Sequence, residues 1–140
     1  MEQPVVIVPL TSLYQSKIEA WASDDAGGAL FKQSGTHLAD GQDSRGWAAV
    51  IGSDPIGAVT ISRDPSGVDF MYVIVKPSER RHGLGASLVK TALDDPETKK
   101  LTRLHAYVEP ENTAAQKILI KRGFSQIGYG PDGQIEFELH

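Results

Sequence analysis

Val75-Lys76-Pro77-Ser78-Glu79-Arg80-Arg81-His82-Gly83-Leu84-Gly85-Ala86 is the stretch on which the reading of this chain turns. Before it stands Val68 to Val75, the most apolar run in the sequence, which reads as a central strand ended by Pro77. After it, Leu84, Leu88, Val89, Ala92 and Leu93 recur at helical spacing up to Pro96. A strand thus passes through a glycine-containing turn straight into a helix. Small residues there let the backbone approach an anion, and the free N–H groups of the first helical turn point at it. Arg80 and Arg81 add positive charge. The pattern describes a pyrophosphate cradle, although a plain strand-to-helix turn with solvated arginines has the same elements.

Other phosphate motifs do not fit. Nothing matches a P-loop. A dinucleotide fingerprint needs a third small residue where Leu88 stands.

Working outward, Pro4 to Leu10 reads as a strand, and Thr11-Ser12 caps a helix toward Trp21 with Leu13, Ile18 and Trp21 on a partly buried face. From Ala22 to Gly46 the pattern weakens into an excursion over the core. Trp47 to Ile51 and Ile56 to Ile61 form a hairpin around Gly52-Ser53-Asp54-Pro55. Leu101 to Val108 is a further strand. Asn112 caps a helix with a buried stripe of Ala115, Ile118 and Leu119, and Gly123 ends it. Two short strands, Ser125 to Tyr129 and Gln134 to Leu139, finish the chain. This order makes residues 1–140 one mixed α/β domain.

Composition sets bounds on function. Lys plus Arg number 14 against 18 Asp plus Glu, a net charge of −4, which argues against a primary nucleic-acid role. The chain has no cysteine, so disulfides, thiolate metal sites and a cysteine nucleophile are excluded. No stretch approaches the ~20 apolar residues of a membrane span, and the start lacks a secretory pattern. A cytoplasmic protein is the expectation, with neither nucleic acid nor membrane as partner.

The quoted stretch resembles the signature of the GNAT superfamily of N-acetyltransferases, V-x-P-x-x-(R/Q)-x-x-G-x-(G/A), with Val75, Pro77, Arg80, Gly83 and Gly85 in its stated positions. A second block, Asn112-Thr113-Ala114-Ala115 through Gly123-Phe124, looks like the family's N-x-x-A … G-F helix. The resemblance implies a GNAT-type α/β fold, with a mixed, mostly antiparallel central sheet of about six to seven strands flanked by helices. It implies acetyl-CoA as co-substrate, no metal, and transfer to a primary amine. The acceptor is a small molecule or a peptide, and pairing through the C-terminal strands into a homodimer is expected.

Residue by residue, the resemblance assigns Val73, Ile74 and Val75 to backbone hydrogen bonds with the pantetheine arm. It assigns Arg80, Arg81, His82, Gly83, Leu84, Gly85 and Ala86 to the pyrophosphate turn, and Asn112 to the cofactor near its helix start. Asn112 serves equally as an N-cap, and the two roles can coexist. The pattern also breaks. Where many members carry a Tyr that protonates the departing thiolate, this chain has Leu119; where some carry a Glu base on the preceding strand, it has Tyr107. Asp69, the one charged residue in the apolar strand, matches the glutamate base of the histone-acetylating branch. Asp69 and Tyr107 are therefore the catalytic candidates, with Asp69 paired to an Arg such as Arg63 as the structural alternative. His105 and Tyr107 share a strand face and line an acceptor pocket or pack against a helix. Asp24, Asp25, Asp40 and Asp43, in the region the family lays over its acceptor site, are either ordinary solvated loop charge or the mark of a cationic acceptor. A GNAT-fold module that binds acyl-CoA without turnover is the alternative function.

Overall fold

The computed structural model describes residues 4–22, 44–63, 67–79, 83–130 and 133–139. Seven strands form one sheet in the order β1-β2-β3-β4-β5-β7-β6: β1 Val5–Pro9, β2 Ser44–Ile51, β3 Asp54–Arg63, β4 Asp69–Val75, β5 Leu104–Val108, β6 Phe124–Tyr129 and β7 Ile135–Leu139. Every pairing is antiparallel except β4 with β5. The helices are α1 Ser12–Ala22, α2 Leu84–Asp94 and α3 Thr113–Lys121. This is the mixed, mostly antiparallel sheet flanked by helices that the sequence predicts, with β4 at its centre.

Strand alternation decides which side chains meet which helix. Val59 and Ile61 of β3, Met71, Val73 and Val75 of β4, and Leu104, Ala106 and Val108 of β5 share one buried cluster with Leu84, Leu88, Val89 and Ala92 of α2 and Ala115 and Leu119 of α3. The α2 residues repeat at i, i+4, i+5 and i+8, a single stripe laid on that face. The other face carries α1, whose fully buried Ile18 packs on Ala58 and Ile74. The sheet is thus sandwiched between α1 and the α2–α3 pair, and neighbouring residues on β4 and β5 serve opposite layers.

Several boundaries differ from the sequence reading. β2 begins at Ser44, so Ser44 to Gly46 belong to the sheet, paired with Ser62 to Thr60. The β2–β3 turn closes on Gly52 and Ser53 alone, and Pro55 sits inside β3 opposite Val50, where the register shifts. A bulge tolerates a residue without an N–H, which is why proline did not end the strand. β5 begins only at Leu104: Thr98–Lys100 form a 3-10 turn closed by the Leu101 N–H on the Thr98 carbonyl, and the chain bends at Thr102 and Arg103 before it joins the sheet. Leu13 is 63% exposed rather than part of the buried face of α1, and among the described side chains of that helix Ile18 is the buried one. The side chain of Trp21 and the rest of the predicted excursion, residues 23–43, lie outside the described residues.

Candidate active site

β4 and β5 part company halfway along. Their parallel ladder runs from Asp69 beside Leu104 to Tyr72 beside Tyr107 and stops there, while β4 continues along β3 to Val75. The N–H of Asp69 donates to the Arg103 carbonyl on the β5 side, and the N–H of Lys76 donates to the Ile56 carbonyl on the β3 side. With a period of two, Val73 and Val75 turn their backbone groups toward the gap left by β5, whereas Ile74 turns its own toward Ala58 of β3. Of the three residues expected to offer backbone to a ligand, two face the gap. Val73, Val75, Glu109, Glu111 and Asn112 line a small cleft at this divergence.

At the head of the gap α2 begins. Gly83 is its N-cap, in a left-handed conformation at φ 69° that favours glycine. Having no side chain, it cannot close the first-turn N–H groups itself, and these carry the positive end of the helix dipole. Leu84 is buried and belongs to the core, Ala86 is half-buried, and Gly85 is buried under Asn112. Arg80, Arg81 and His82, the charged members expected in this turn, lie outside the described residues. Asn112 does cap α3, its Oδ1 accepting from the N–H of Ala115 at 3.4 Å. The cap therefore stands at the cleft, against the phosphate-type turn.

Pairing across strands builds a second feature on the face opposite α2 and α3. Thr60, Tyr72, Tyr107 and Glu136 form one row across β3, β4, β5 and β7, and Ser62, Phe70, His105 and Glu138 form the next. The Tyr72 and Tyr107 rings stack at 5.2 Å with 8° between their planes, and Phe70 lies 5.5 Å from His105 and 6.0 Å from Tyr107. Glu136 stands beside Tyr107 in its row and lies 2.8 Å from His105 Nδ1. Burial, then the Glu136 charge and hydrogen bond, then Tyr72 hold the Tyr107 phenol well above its ordinary range. It stays protonated at neutral pH, which suits it to donating a hydrogen bond rather than to resting as a base.

Asp69 is elsewhere. It is 5% exposed, shares the helix-side face with Met71 and Val73, and lies about 13 Å down the strand from Val73. Tyr107 and Asp69 thus occupy opposite faces, and only Tyr107 stands at the divergence. Leu119, at the position where a Tyr donor is usual, is fully buried in the core. Sequence reasoning missed Glu136 and Glu138. Their signal was the alternation Ile135-Glu136-Phe137-Glu138-Leu139, which sets two acids on one side of a strand whose other side is apolar. Which strand that side adjoins is a matter of register.

Comparison with known proteins agrees with this architecture. Residues 10–124 match the model of the acetyltransferase (GNAT) family. A GNAT-family acetyltransferase from Staphylococcus aureus superimposes with a TM-score of 0.69 at 10% identity, covering 97% of this chain and 98% of that one. The PaiA N-acetyltransferase of Thermoplasma acidophilum, solved with coenzyme A, gives 0.65 at 14% identity over 98% and 99%. Diaminobutyrate acetyltransferase from Paenibacillus lautus, solved with L-2,4-diaminobutyric acid and coenzyme A, gives 0.67 at 16% identity over 97% and 94%. Identities this low establish a shared fold. A search of curated protein sequences finds none that matches.

Proposed function

The chain belongs to the acetyltransferase (GNAT) family, and from that membership we propose that it moves an acetyl group from acetyl-CoA to a primary amine by direct attack in a ternary complex. The observation that carries this reading is the divergence of β4 from β5 directly below the N-terminus of α2. It leaves Val73 with its backbone turned toward a cleft lined by Asn112, which packs against Gly85 in the first turn of α2. The pantetheine arm would lie along β4 as a further strand does, and the pyrophosphate would meet the N–H groups of Gly83 to Ala86, with Arg80, Arg81 and His82 adjoining. Two relatives in fold were solved with coenzyme A.

The reaction needs little covalent help from the protein. The amine nitrogen, having lost a proton, attacks the thioester carbon. The C–S bond breaks, and sulfur leaves as a thiolate whose thiol titrates near ~8.5. Holding the two reactants together supplies much of the acceleration. Loss of a positioned acid at Leu119 costs roughly 10²–10⁴-fold at most, so catalysis is slowed and not prevented. Asp69 and Glu136 are the two acids whose substitution tests which group receives the amine proton.

Thiol release from acetyl-CoA, measured across a panel of primary amines beside calorimetry with CoA, tests the reading. Micromolar-range CoA binding with amine-dependent thiol release is the expected result. Binding without release for any amine would leave a sensor module. No binding at millimolar CoA would overturn the functional reading altogether.

A further inference from the structure

We infer that Glu136 is the specificity-determining residue of the acceptor site and selects an amine that arrives as a cation. The inference rests on the transfer reading above for the identity of the acceptor, but its own basis is the geometry around Glu136.

The residue stands beside Tyr107 in the last row before β4 and β5 separate, on the face opposite α2 and α3. Its carboxylate lies 2.8 Å from His105 Nδ1, and Tyr107 stands beside it in the same row. With only 20% of its side chain exposed, it sits in surroundings that strengthen its field relative to water. A carboxylate offers about four acceptor positions, so the His105 contact leaves room for more. Among the described residues no Lys or Arg pairs with Glu136 or with Glu138; the ring nitrogens of His105 lie nearest to both. The adjoining wall consists of the Tyr72, Tyr107 and Phe70 rings, whose π-faces attract a cation within about 6 Å.

A fixed, partly dehydrated carboxylate set against aromatic rings suits an alkylammonium, which brings three N–H donors and a positive charge to one point. Two acids alone would say little, since carboxylates on an edge hairpin are usually solvated. The rings and the His105 contact distinguish this place. Glu138, 40% exposed and 3.9 Å from His105 Nε2, extends the negative field outward and favours an acceptor with a second positive centre. Neutral aromatic amines lack the charge that this arrangement rewards.

The test uses the full chain and two readouts. In the first, n-butylammonium chloride is titrated into the wild type, Glu136→Gln and Glu136→Asp, while the His105 ring is followed by NMR. A saturable shift is expected in the wild type, none in Glu136→Gln, and an intermediate response in Glu136→Asp, which keeps the charge on a shorter arm. In the second, KM for spermidine should rise at least about tenfold in Glu136→Gln, while CoA binding by calorimetry stays unchanged. Unaltered butylammonium binding in Glu136→Gln, or none in the wild type, would overturn the inference even if CoA binds and thiol is released. Failure of CoA to bind would instead strike the transfer reading, and the butylammonium titration would still decide the role of Glu136.

Discussion

The side-chain amide of Asn112 occupies the space in which a Cβ at Gly85 would stand: such an atom would meet Asn112 Nδ2 at 2.0 Å and Cγ at 2.8 Å. The two residues belong to different motifs, one opening α2 and the other capping α3, and this contact joins them. Gly85 has no room for a side chain, because the Asn112 amide fills the place. A change at either residue therefore reaches the other.

Gly85→Ala should displace Asn112 and break its bond to the Ala115 N–H, costing about 0.5–2 kcal/mol for the lost cap and more for the strain. Asn112→Ala loses the cap but removes the obstruction. The double variant should thus be more stable than the sum of the two single losses predicts, by urea denaturation in a double-mutant cycle. Strict additivity would show that the contact is not felt. Gly85→Asp adds negative charge at the same place and should abolish CoA binding by calorimetry.

Gly130, in the turn between β6 and β7, abuts the Tyr107 ring, where an added Cβ would come within 2.9 Å of Cδ1 and 3.0 Å of Cε1. A stacked ring cannot yield as a flexible chain does. Gly130→Ala should shift Tyr107 and disturb its stack on Tyr72, raising KM for the amine acceptor by roughly tenfold while CoA affinity holds. Equal effects on both ligands would point to general unfolding instead.

Tyr107 links stability to alkaline pH. The native state keeps a phenolic proton that the unfolded chain gives up near ~10, so this contribution is complete below that pH and is lost as pH rises beyond it. Tyr107→Phe should be less stable than the wild type by about 1–3 kcal/mol near neutrality, because Glu136 loses a donor. Above pH ~10 the gap should close, at up to about 1.4 kcal/mol per pH unit and less where solvent screens the pair. Unfolding curves of both proteins across this range provide the check, and a gap that stays constant would contradict the assignment.

Asp69→Asn separates a catalytic from a structural role for that acid. If Asp69 receives the amine proton, kcat falls by about 10²-fold with CoA affinity unchanged. Its burial on the helix-side face, away from Tyr107, leads us to expect a smaller fall in kcat, accompanied by about 1–3 kcal/mol of lost stability. Measured beside Glu136→Gln, the variant identifies which carboxylate matters to turnover.

Leu119→Ala should behave as a core truncation. The side chain is fully buried among residues of α2, α3 and the sheet, so about 2–5 kcal/mol of stability should go. Below the unfolding range, kcat should hold, since no polar group is removed. A selective loss of kcat in a stable protein would contradict this.

Local chemistry was enough to read the strand-turn-helix from Val75 to Ala86, the cap at Asn112 and the stop at Gly123, because each depends on residues close together in the chain. β4 was legible as central because a strand covered on both faces must be apolar throughout. The start of β2 at Ser44 and the place of Pro55 were not legible, since pairing and a bulge override weak or contrary local preference. The same limit applies to the candidate site. Sequence alone set Tyr107 where a Glu is sometimes found and left Asp69 as the visible acid. Only the tertiary structure decided that Asp69 and Tyr107 face opposite layers, and that β7 brings Glu136 beside Tyr107 from 29 residues along the chain. The physical reason is register: a slip of one residue between β5 and β7 would turn both glutamates into the core and both apolar partners outward. That choice is made by the whole hydrophobic face of the sheet packing at once on α2 and α3, and no single segment encodes it.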